Sequence, residues 1–194
     1  MRGLQHWRER RLLQRIRSGD REAAGRLVDA HYEAVYRWLL HLCRDRERAA
    51  DLTQETFVQV WEDLDGFRGD ATAKTWIHRI AYHTFLRAQR RSRPDTVPLD
   101  ESVSDGTPTE TALTRHALRS ALAQLPEKQG QVLILHYLQG FKVAEIADVL
   151  EVPAGTVLSR LHNGRNGLRE LLCQEPSPAT AEVQTNAEDI TAEQ

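Results

Sequence analysis

The chain has 194 residues, of which 40% are hydrophobic and 28% are charged, and its formal net charge is −2. This length suits one or two small globular domains, and no apolar run approaches the roughly 18 residues that a membrane-spanning helix needs. A near-neutral chain is unlike proteins that hold DNA tightly by themselves, because those usually carry a large positive surplus. Any binding of nucleic acid therefore requires positive charge that is concentrated locally.

The N-terminus and the cysteines indicate the cellular compartment. Residues 1–16 are polar and charged throughout, and they lack the apolar core and the cleavage site of a secretion signal. We therefore expect a cytoplasmic protein that does not insert into membranes by itself. Cys43 and Cys173 form no CxxC pair, and each lies in an amphipathic helical pattern. They predict small buried or half-buried thiols and no metal site, with a redox switch as the alternative.

Helical spacing dominates the first half of the chain, because proline is absent before position 94 and apolar residues recur at helical intervals. The pattern predicts an opening helix over 5–17 and a second helix over 23–42, with Asp20 as the N-cap of the second. The core-facing positions of the second helix are Leu27, Ala30, His31, Ala34, Val35, Leu39 and Leu42.

A third predicted helix, over 46–64, has two distinct sides. The positions that share its apolar side and predict a buried face are Phe57, Val60, Trp61 and Leu64. A separate polar strip consists of Asp51, Glu55, Gln59 and Glu62. An acidic strip without lysine partners is either a solvated face or a docking face for a protein, and the spacing alone leaves both open.

The segment 66–93 concentrates positive charge, because seven basic residues face a single acid, Asp70. A fourth helix is predicted over 75–91. An inward row on one side of it consists of Ala73, Ile77, Ile80 and Thr84. The positions that follow one another at about four-residue steps, and predict a cationic ridge for phosphates, are Arg79, His83, Arg87 and Arg90.

Three aromatic residues, Trp76, Tyr82 and Phe85, interleave with the basic residues of this helix. Single-stranded bases stack on aromatic rings beside arginine, at about 1 to 3 kcal/mol per base, so exposed rings here would suit unwound DNA. The alternative is that the rings belong to the core. We favour the core for Trp76, because a tryptophan at a helix start commonly locks the preceding glycine-rich loop.

A change of composition marks a domain boundary. Residues 94–110 contain acids, three prolines and no lysine or arginine, which is typical of a linker. We therefore predict a first domain over 1–92, an acidic linker over 93–112 and a second domain over 113–173. The acidic tail, 174–194, lacks helical periodicity and is expected to be disordered, either as a solvated end or as a regulatory extension.

The segment 142–165 predicts two short helices joined by a tight turn. The apolar stripe of the first helix, which stops at Glu151, consists of Val143, Ile146, Ala147 and Leu150. Pro153 excludes helical geometry from Val152 and begins the second helix. The buried series of the second helix is Val157, Leu161, Gly164, Leu168 and Leu171.

Polar side chains lie between these buried positions, namely Ser159, Arg160, His162 and Asn163. Hydrogen-bonding groups in such positions suit the major groove of duplex DNA, so the segment predicts a helix-turn-helix. The alternative is an ordinary helical hairpin, since short amphipathic helix pairs are common.

Four segments carry these features in chain order. They are DLTQETFVQVW at 51–61, FRGDATAKTWIHRIA at 67–81, LPEKQGQVLILHYLQGF at 125–141 and EIADVLEVPAGTVLSRL at 145–161. Together they resemble the extracytoplasmic-function (ECF) group of the bacterial sigma-70 family of RNA polymerase sigma factors, over most of residues 10–172. The resemblance implies an all-α fold of two small helical domains, a sigma region 2 bundle and a sigma region 4 helix-turn-helix, joined by a flexible acidic linker.

The resemblance also implies roles for individual residues. Asp51, Gln54 and Glu55 match the polar residues with which the family binds the largest subunit of core RNA polymerase. Residues 66–75 match the loop that captures a flipped base of the −10 element. The residues implied in −10 recognition and melting are Lys74, Trp76, Arg79, Tyr82, His83, Arg87 and Arg90. Those implied in −35 recognition are Lys142, Ser159, Arg160, His162, Asn163 and Arg165.

Departures from the family pattern bear on promoter specificity. Leu158 and the run 163–165 stand where the family often has more basic residues, which implies an unusual −35 sequence. His83 and Arg87 stand where asparagine and aspartate are common, which leaves base selection in the −10 element open.

The implied function is that of an alternative sigma factor, which directs promoter-specific initiation while the polymerase supplies the chemistry. The implied partners are core RNA polymerase, promoter DNA and an anti-sigma factor, with no cofactor, metal or catalytic residue. The main alternative is a free-standing helix-turn-helix regulator that binds duplex DNA without polymerase, which leaves 51–61 unexplained. A metalloenzyme is disfavoured, because the eight histidines form no HxxxH or HExxH motif.

Overall fold

The computed structural model describes residues 11–91 and 110–174. The predicted tail after Gln174 lies outside the described residues, as do residues 1–10 and the linker up to position 109.

The described chain forms two helical units. The N-terminal unit consists of α1 over 11–17, α2 (Arg21–Cys43), α3 (Arg46–Glu62), a short 3-10 helix (Leu64–Gly66) and α4 (Ala73–Arg91). The C-terminal unit consists of α5 (Glu110–Gln124), α6 (Glu127–Leu133), a π-helical extension of α6 (Ile134–Leu138), α7 (Val143–Leu150) and α8 (Ala154–Gln174). No strand occurs among the described residues, and the predicted all-α fold is confirmed. Helix α5 begins at Glu110, so its first turn lies inside the predicted 93–112 linker.

Capping residues set the junction of α1 with α2 and of α2 with α3. Asp20 Oδ1 accepts a hydrogen bond from the Ala23 amide at 3.0 Å, which confirms Asp20 as the predicted N-cap. Asp45 Oδ1 accepts from the Arg48 amide at 3.0 Å and caps α3 in the same way. Arg44 has a left-handed φ of 54°, which ends α2 one residue before this cap.

The core of the N-terminal unit differs from the predicted one at two tryptophans and one alanine. Trp38 is fully buried and packs on His78 and Tyr82 of α4, with ring centroids 5.5 and 6.0 Å apart. The apolar pattern omitted Trp38, and it wrongly included Ala30 and Trp61, since Ala30 is exposed and Trp61 is 47% exposed.

Buried threonines explain the error on α3. Its buried stripe runs through Thr53 and Thr56, whose hydroxyls donate to the Ala49 and Leu52 carbonyls at 2.6 Å. These hydrogen bonds satisfy the hydroxyls within the helix, so both side chains are tolerated in the core. Because threonine counts as polar in the pattern, the buried face was placed around Trp61 instead.

Two glycines allow α8 to pack closely against α6 and against Leu125, which precedes α6. A Cβ at Gly164 would lie 3.1 Å from Leu133 Cδ1 and 3.3 Å from Gln129 Cβ. A Cβ at Gly167 would lie 2.8 Å from Leu125 Cδ2. Contacts this short force the neighbouring atoms to move, so glycine provides close packing here. This packing accounts for the glycine in the run 163–165, which departs from the family pattern.

The predicted helix-turn-helix corresponds to α7 and α8. Its buried residues Ile146, Leu150, Val157 and Leu161 confirm the main apolar series. Glu151 ends α7 with a left-handed φ of 53°, and the Val152 amide donates to the Ala147 carbonyl at 3.1 Å. The Pro153 carbonyl accepts from the Val157 amide at 3.2 Å and so begins α8.

The two units pack against each other, α4 against α7 and α2 against α6. Their buried apolar side chains form one cluster. Phe141, which precedes α7, is 2% exposed and places its ring 4.8 Å from that of His78 on α4. The contact therefore lies on the helix that carries the predicted cationic ridge.

Candidate functional site

The outer face of α3 combines acidic, amide and apolar side chains. The predicted docking residues Asp51, Gln54 and Glu55 are all exposed. Val58 and Trp61, which follow on the same side of the helix, are 58% and 47% exposed. We call these five residues the α3 face. A partly apolar patch with charged neighbours is typical of protein-binding surfaces, in which tryptophan is enriched.

A cationic side chain borders the α3 face. Arg87 of α4 lies 3.9 Å from Glu55 Oε1, and its guanidinium lies 3.5 Å from Gln59 Oε1. Both Arg87 and Glu55 are nearly half exposed, so their ion pair contributes little to stability. The predicted polymerase-docking strip and the predicted DNA-binding ridge therefore meet at this point.

The loop that precedes α4 is held by an arginine that the sequence pattern did not identify. The Arg17 guanidinium donates to the Leu64 carbonyl at 2.8 Å and to the Phe67 carbonyl at 2.7 Å. A third contact reaches the Asp65 carbonyl at 3.3 Å. One side chain of α1 thus fixes the backbone at the start of the predicted base-capturing loop. No local pattern marks Arg17, because its partners are carbonyls that lie far away in sequence.

A cavity of about 470 Å³ opens beside this loop. It is lined by Arg11, Leu13, Gln14, Arg17, Phe67, Arg68 and Gly69. Three guanidinium groups and an aromatic ring suit a ligand that has an anionic group and a planar ring. Phe67 also packs on Trp76 at the start of α4, with ring centroids 4.9 Å apart, as expected for a tryptophan that locks the loop.

Helix α4 has the two sides that its sequence predicts. The inward row, Ala73, Ile77, Ile80 and Thr84, is buried. On the ridge, Arg79, Arg87 and Arg90 are exposed and His83 is half exposed. The geometry of the ridge is therefore confirmed, whereas its contact with DNA stays a prediction.

The aromatic residues of α4 are less accessible than a base-stacking platform requires. Phe85 is 3% exposed and belongs to the core. Tyr82 is half-buried against Trp38, and burial raises the pKa of its hydroxyl. Trp76 is half-buried against Phe67. Of the three rings, Trp76 and Tyr82 retain exposed edges, and they are also the two that the resemblance implicates in DNA binding.

The first turns of α8 present polar side chains on their outer side. Five of the six residues implied in −35 recognition are exposed, namely Ser159, His162, Asn163 and Arg165 of α8 and Lys142, which precedes α7. Arg160 is half-buried. Leu158 lies among them and is 56% exposed, so this surface is less charged and more apolar than a row of basic residues would be.

The C-terminal unit contacts three predicted −10 residues directly. Glu151 Oε1 lies 3.2 Å from Arg79 Nε and 3.1 Å from His83 Nε2. The Lys74 ammonium donates to the Gln139 carbonyl and lies 4.0 Å from the centroid of the Phe141 ring. Sequence reasoning missed these partners, because no periodicity connects residues of two separate units.

Histidines line the same contact between the units. His78 is fully buried, and its Nδ1–H donates to the Lys74 carbonyl at 2.9 Å. Burial lowers its pKa from the ordinary 6.5 to about 4. His41 packs on Gly130 of α6, and burial, with a smaller effect of the Arg44 charge, lowers its pKa to about 4 as well. Both side chains are therefore neutral at physiological pH.

The two thiols differ in their surroundings. Cys43 is half-buried, and burial raises its pKa to about 11, so it is a poor nucleophile. Cys173 is exposed near the end of α8, in contrast to the predicted burial. In the part of the chain that the structure covers, no group of histidine, cysteine or acidic side chains is arranged to hold a metal ion. No helix within that part is long and apolar enough to cross a membrane.

Comparison with known protein families matches both units. Residues 27–94 match the family model "Sigma-70 region 2", and residues 115–167 match "Sigma-70, region 4". The chain is 31% identical over 156 residues to the ECF RNA polymerase sigma factor SigM of Mycobacterium tuberculosis, with 80% of each chain covered. It is 27% identical over 176 residues to the ECF RNA polymerase sigma factor SigW of Bacillus subtilis, covering 82% of this chain and 94% of SigW.

A solved structure of similar fold is that of CnrH in complex with the cytosolic domain of CnrY. The TM-score is 0.67 at 25% sequence identity, and the match covers 87% of this chain and 99% of the compared chain. The likeness extends over both helical units.

Proposed function

The chain belongs to the ECF group of the sigma-70 family of RNA polymerase sigma factors, and we propose that it binds core RNA polymerase and directs initiation at promoters with its own −10 and −35 elements. The observation that carries this function is the match to sigma regions 2 and 4, in that order, over the two units. The polymerase supplies the chemistry, so the chain acts without catalytic residues of its own and in the cytoplasm. Residues 1–92 and 113–173 serve as the two functional domains.

The α3 face is the proposed contact with core RNA polymerase. Asp51, Gln54 and Glu55 supply polar contacts, and the exposed ring of Trp61 supplies apolar area beside them. Interfaces of this kind depend on a few large aromatic anchors surrounded by polar side chains. The combination on a single helix supports docking over a merely solvated strip.

The loop 66–75 and helix α4 are the proposed −10 element contact. The arginines of the ridge and Lys74 offer positive charge to phosphates, while Trp76 and Tyr82 offer ring edges to unpaired bases. The basic cavity beside Arg17 and Arg68 lies at the same loop and supports capture of a nucleotide there.

The outer side of α8 is the proposed −35 contact. Arg160, His162 and Asn163 carry hydrogen-bonding groups suited to base edges, and Lys142 and Arg165 lie near enough for phosphates. The exposed side chain of Leu158 suits the methyl group of a thymine, so a thymine is expected opposite it in the −35 element.

A protein that restrains the sigma factor is the proposed third partner. The similar solved structure contains CnrH together with the cytosolic domain of CnrY, which supports a protein partner for a chain of this fold. For this chain the partner is an anti-sigma factor that covers surfaces needed for polymerase and promoter binding.

Transcription with purified components tests the function. The full chain is combined with core RNA polymerase and a genomic DNA library, and the transcript starts are sequenced. Starts that share −10 and −35 elements and disappear with the double variant Asp51→Ala/Glu55→Ala are expected. The control is Glu22→Ala/Asp29→Ala, which removes two exposed acids from α2 and should leave the starts unchanged.

Specific binding of duplex DNA by the chain alone, with no polymerase-dependent starts, would instead identify a free-standing regulator. Equal loss of starts in the two double variants would remove the assignment of the α3 face.

A further inference from the structure

In this structure the C-terminal unit contacts the surface of α4 that is proposed to bind the −10 element. Glu151 lies at the end of α7 and presents one carboxylate oxygen to both Arg79 and His83, at 3.2 and 3.1 Å. Lys74 is turned toward the Gln139 carbonyl and the Phe141 ring. Three side chains with the same proposed task are therefore held by the C-terminal unit.

Glu151 occupies a backbone position that glutamate does not favour. Its φ of 53° is left-handed, and its amide donates to the Ala147 carbonyl to close α7. Glycine or asparagine is usual at such a helix end, and a residue with a Cβ costs roughly 1 kcal/mol there. The backbone of Glu151 is thus strained at the position from which its carboxylate reaches α4.

The contact between the units extends beyond these charges. Phe141 is buried between Lys74 and His78, and the Gln139 amide donates to the Ala34 carbonyl of α2 at 2.8 Å. On the other side of the contact, the His41 ring packs against Gly130 so closely that a Cβ there would lie 2.7 Å from Nε2. The units therefore meet through a packed surface with specific hydrogen bonds and not through one ion pair.

The charges make this contact and DNA binding mutually exclusive. A phosphate approaching Arg79 carries the same sign as the Glu151 carboxylate, so both cannot share the guanidinium without repulsion. The Glu151 and Arg79 side chains are 50% and 48% exposed, which keeps the pair weak enough to exchange for a phosphate. Arg90, farther along the ridge, is exposed and can meet DNA first.

We propose that Glu151 acts as an intramolecular substitute for a DNA phosphate, so that the C-terminal unit covers the −10 surface of α4 in the free chain and leaves it when promoter DNA binds. This deepens the proposed function and depends on it for the identity of the competing ligand. In this arrangement the α3 face stays exposed while the C-terminal unit covers the DNA-binding surface of α4.

Charge reversal at the end of α7 tests the proposal. Glu151→Lys places a cation against Arg79 and His83, and Asp148→Lys makes the same change of charge three residues earlier, at an exposed position of α7. Each full-length variant is titrated with a fluorescein-labelled oligothymidine of roughly 12 nucleotides, without polymerase, and its radius of gyration is measured by small-angle X-ray scattering. Circular dichroism verifies that helix content is retained.

Glu151→Lys is expected to bind the oligonucleotide about tenfold more tightly than Asp148→Lys and to have a larger radius of gyration than the wild type. Asp148→Lys should gain affinity through its charge alone and keep the wild-type radius. The double variant Arg79→Glu/Glu151→Arg should return to the wild-type radius, because it restores an opposite pair. Equal affinities of the two lysine variants, or an unchanged radius for Glu151→Lys, would overturn the proposal.

Transcription assays on the same proteins separate this proposal from the proposed function. Absence of polymerase-dependent starts with the wild type would refute the sigma-factor function, whereas the scattering comparison would still report on closure. Normal starts combined with identical scattering of all variants would refute closure alone.

Discussion

Among the described residues, the outer face of α3 lies open, whereas the edge of α4 that carries Lys74, Arg79 and His83 is partly covered by the C-terminal unit. Among the described contacts of the α3 face, Glu55 reaches Arg87 at 3.9 Å, while Asp51 and Trp61 are exposed. On α4, each of the three covered side chains has a partner from the other unit. Two neighbouring surfaces of one helical unit therefore differ in their readiness to bind.

This difference suggests an order of events. A surface that is already exposed binds its partner without a conformational cost, whereas a covered surface binds only after a contact has been broken. We therefore expect polymerase docking to come first and promoter contact to follow. The near-neutral net charge agrees with this order, because the chain has little general attraction for DNA before it docks.

The largest expected effect concerns the open surface. Trp61→Ala should weaken binding to core RNA polymerase by about 2 to 4 kcal/mol, because a half-exposed tryptophan amid polar residues is the kind of anchor on which interface affinity depends. The thermal stability of the Trp61→Ala variant should fall much less than its affinity for polymerase, since the Trp61 ring lies partly in solvent. The measurement is the dissociation constant for core polymerase by fluorescence anisotropy, together with a thermal unfolding curve.

Leu172→Ala serves as the control, because Leu172 is 39% exposed on α8, away from the α3 face. Comparable losses of affinity in both variants would indicate a nonspecific apolar effect and would remove Trp61 from the docking surface.

The second prediction concerns the covered surface and pH. Above pH 6.5 His78 is neutral in both the folded and the unfolded chain, so it adds no pH dependence. Below pH 6.5 the unfolded His78 binds a proton while the folded one stays neutral down to about 4, so stability falls through this window. At pH 5 the loss is about 2 kcal/mol for one such buried histidine.

Other groups around the contact modify this effect. Burial is the largest effect on the pKa of His78, and the charges of Lys74 and His31 lower that pKa further. Interaction with the Gln139 side chain raises it, but by less than burial lowers it. Burial also lowers the pKa of His41, so His41 likewise reduces stability as the pH falls below 6.5.

Urea unfolding at pH 7 and pH 5 measures the pH effect. His78→Gln should lose less stability between these two values than the wild type, and His162→Gln, at an exposed position of α8, should lose as much as the wild type. If all three proteins show the same loss, His78 does not control the acid response.

The sequence predicted what depends on local patterns. The Asp20 cap, the buried row from Ala73 to Thr84 and the turn at Glu151 follow from neighbouring residues, and the structure has each of them. Trp61 was misplaced because the buried hydroxyls of Thr53 and Thr56 find partners within their own helix. Side-chain polarity alone does not reveal that such groups are satisfied.

What the sequence could not reveal is the contact between the units. Glu151, Gln139 and Phe141 meet α4 over separations of about 60 residues or more, and such pairing depends on how two folded units dock. The role of Arg17 could not be predicted from the sequence for the same reason, since Arg17 binds carbonyls about 50 residues away. The roles of individual side chains in binding polymerase and DNA stay predictions.

The third prediction separates the loop from the ridge. Arg17→Ala removes charged donors from the Leu64 and Phe67 carbonyls and should cost about 1.5 kcal/mol of stability. It should also lower promoter-dependent transcription severalfold while core polymerase binding is unchanged, because the Arg17 hydrogen bonds go to the Leu64, Asp65 and Phe67 carbonyls and not to residues of the α3 face. Arg21→Ala, which removes an exposed arginine from the start of α2, is the control. A parallel loss of polymerase binding would assign Arg17 a general structural role.

The smallest expected effect concerns the packing beneath the −35 surface. Gly164→Ala should be about 1 kcal/mol less stable than Gly155→Ala, because a Cβ at 164 meets Leu133 at 3.1 Å whereas a Cβ at 155 meets nothing within 4 Å. Gly155 lies in the first turn of α8 and Gly164 in its interior, where replacing glycine by alanine gains at least as much helix propensity, so a lower stability of Gly164→Ala in urea unfolding reports the packing cost.

The same pair of variants also sharpens the contrast between the two surfaces of the N-terminal unit. Strain between α6 and α8 disturbs the unit that covers α4, so Gly164→Ala should bind single-stranded DNA slightly more tightly than Gly155→Ala. The α3 face belongs to the other unit and should bind core polymerase equally in both. An equal change at both surfaces would mean that the units respond as one body, and that the open face and the covered edge are not independently controlled.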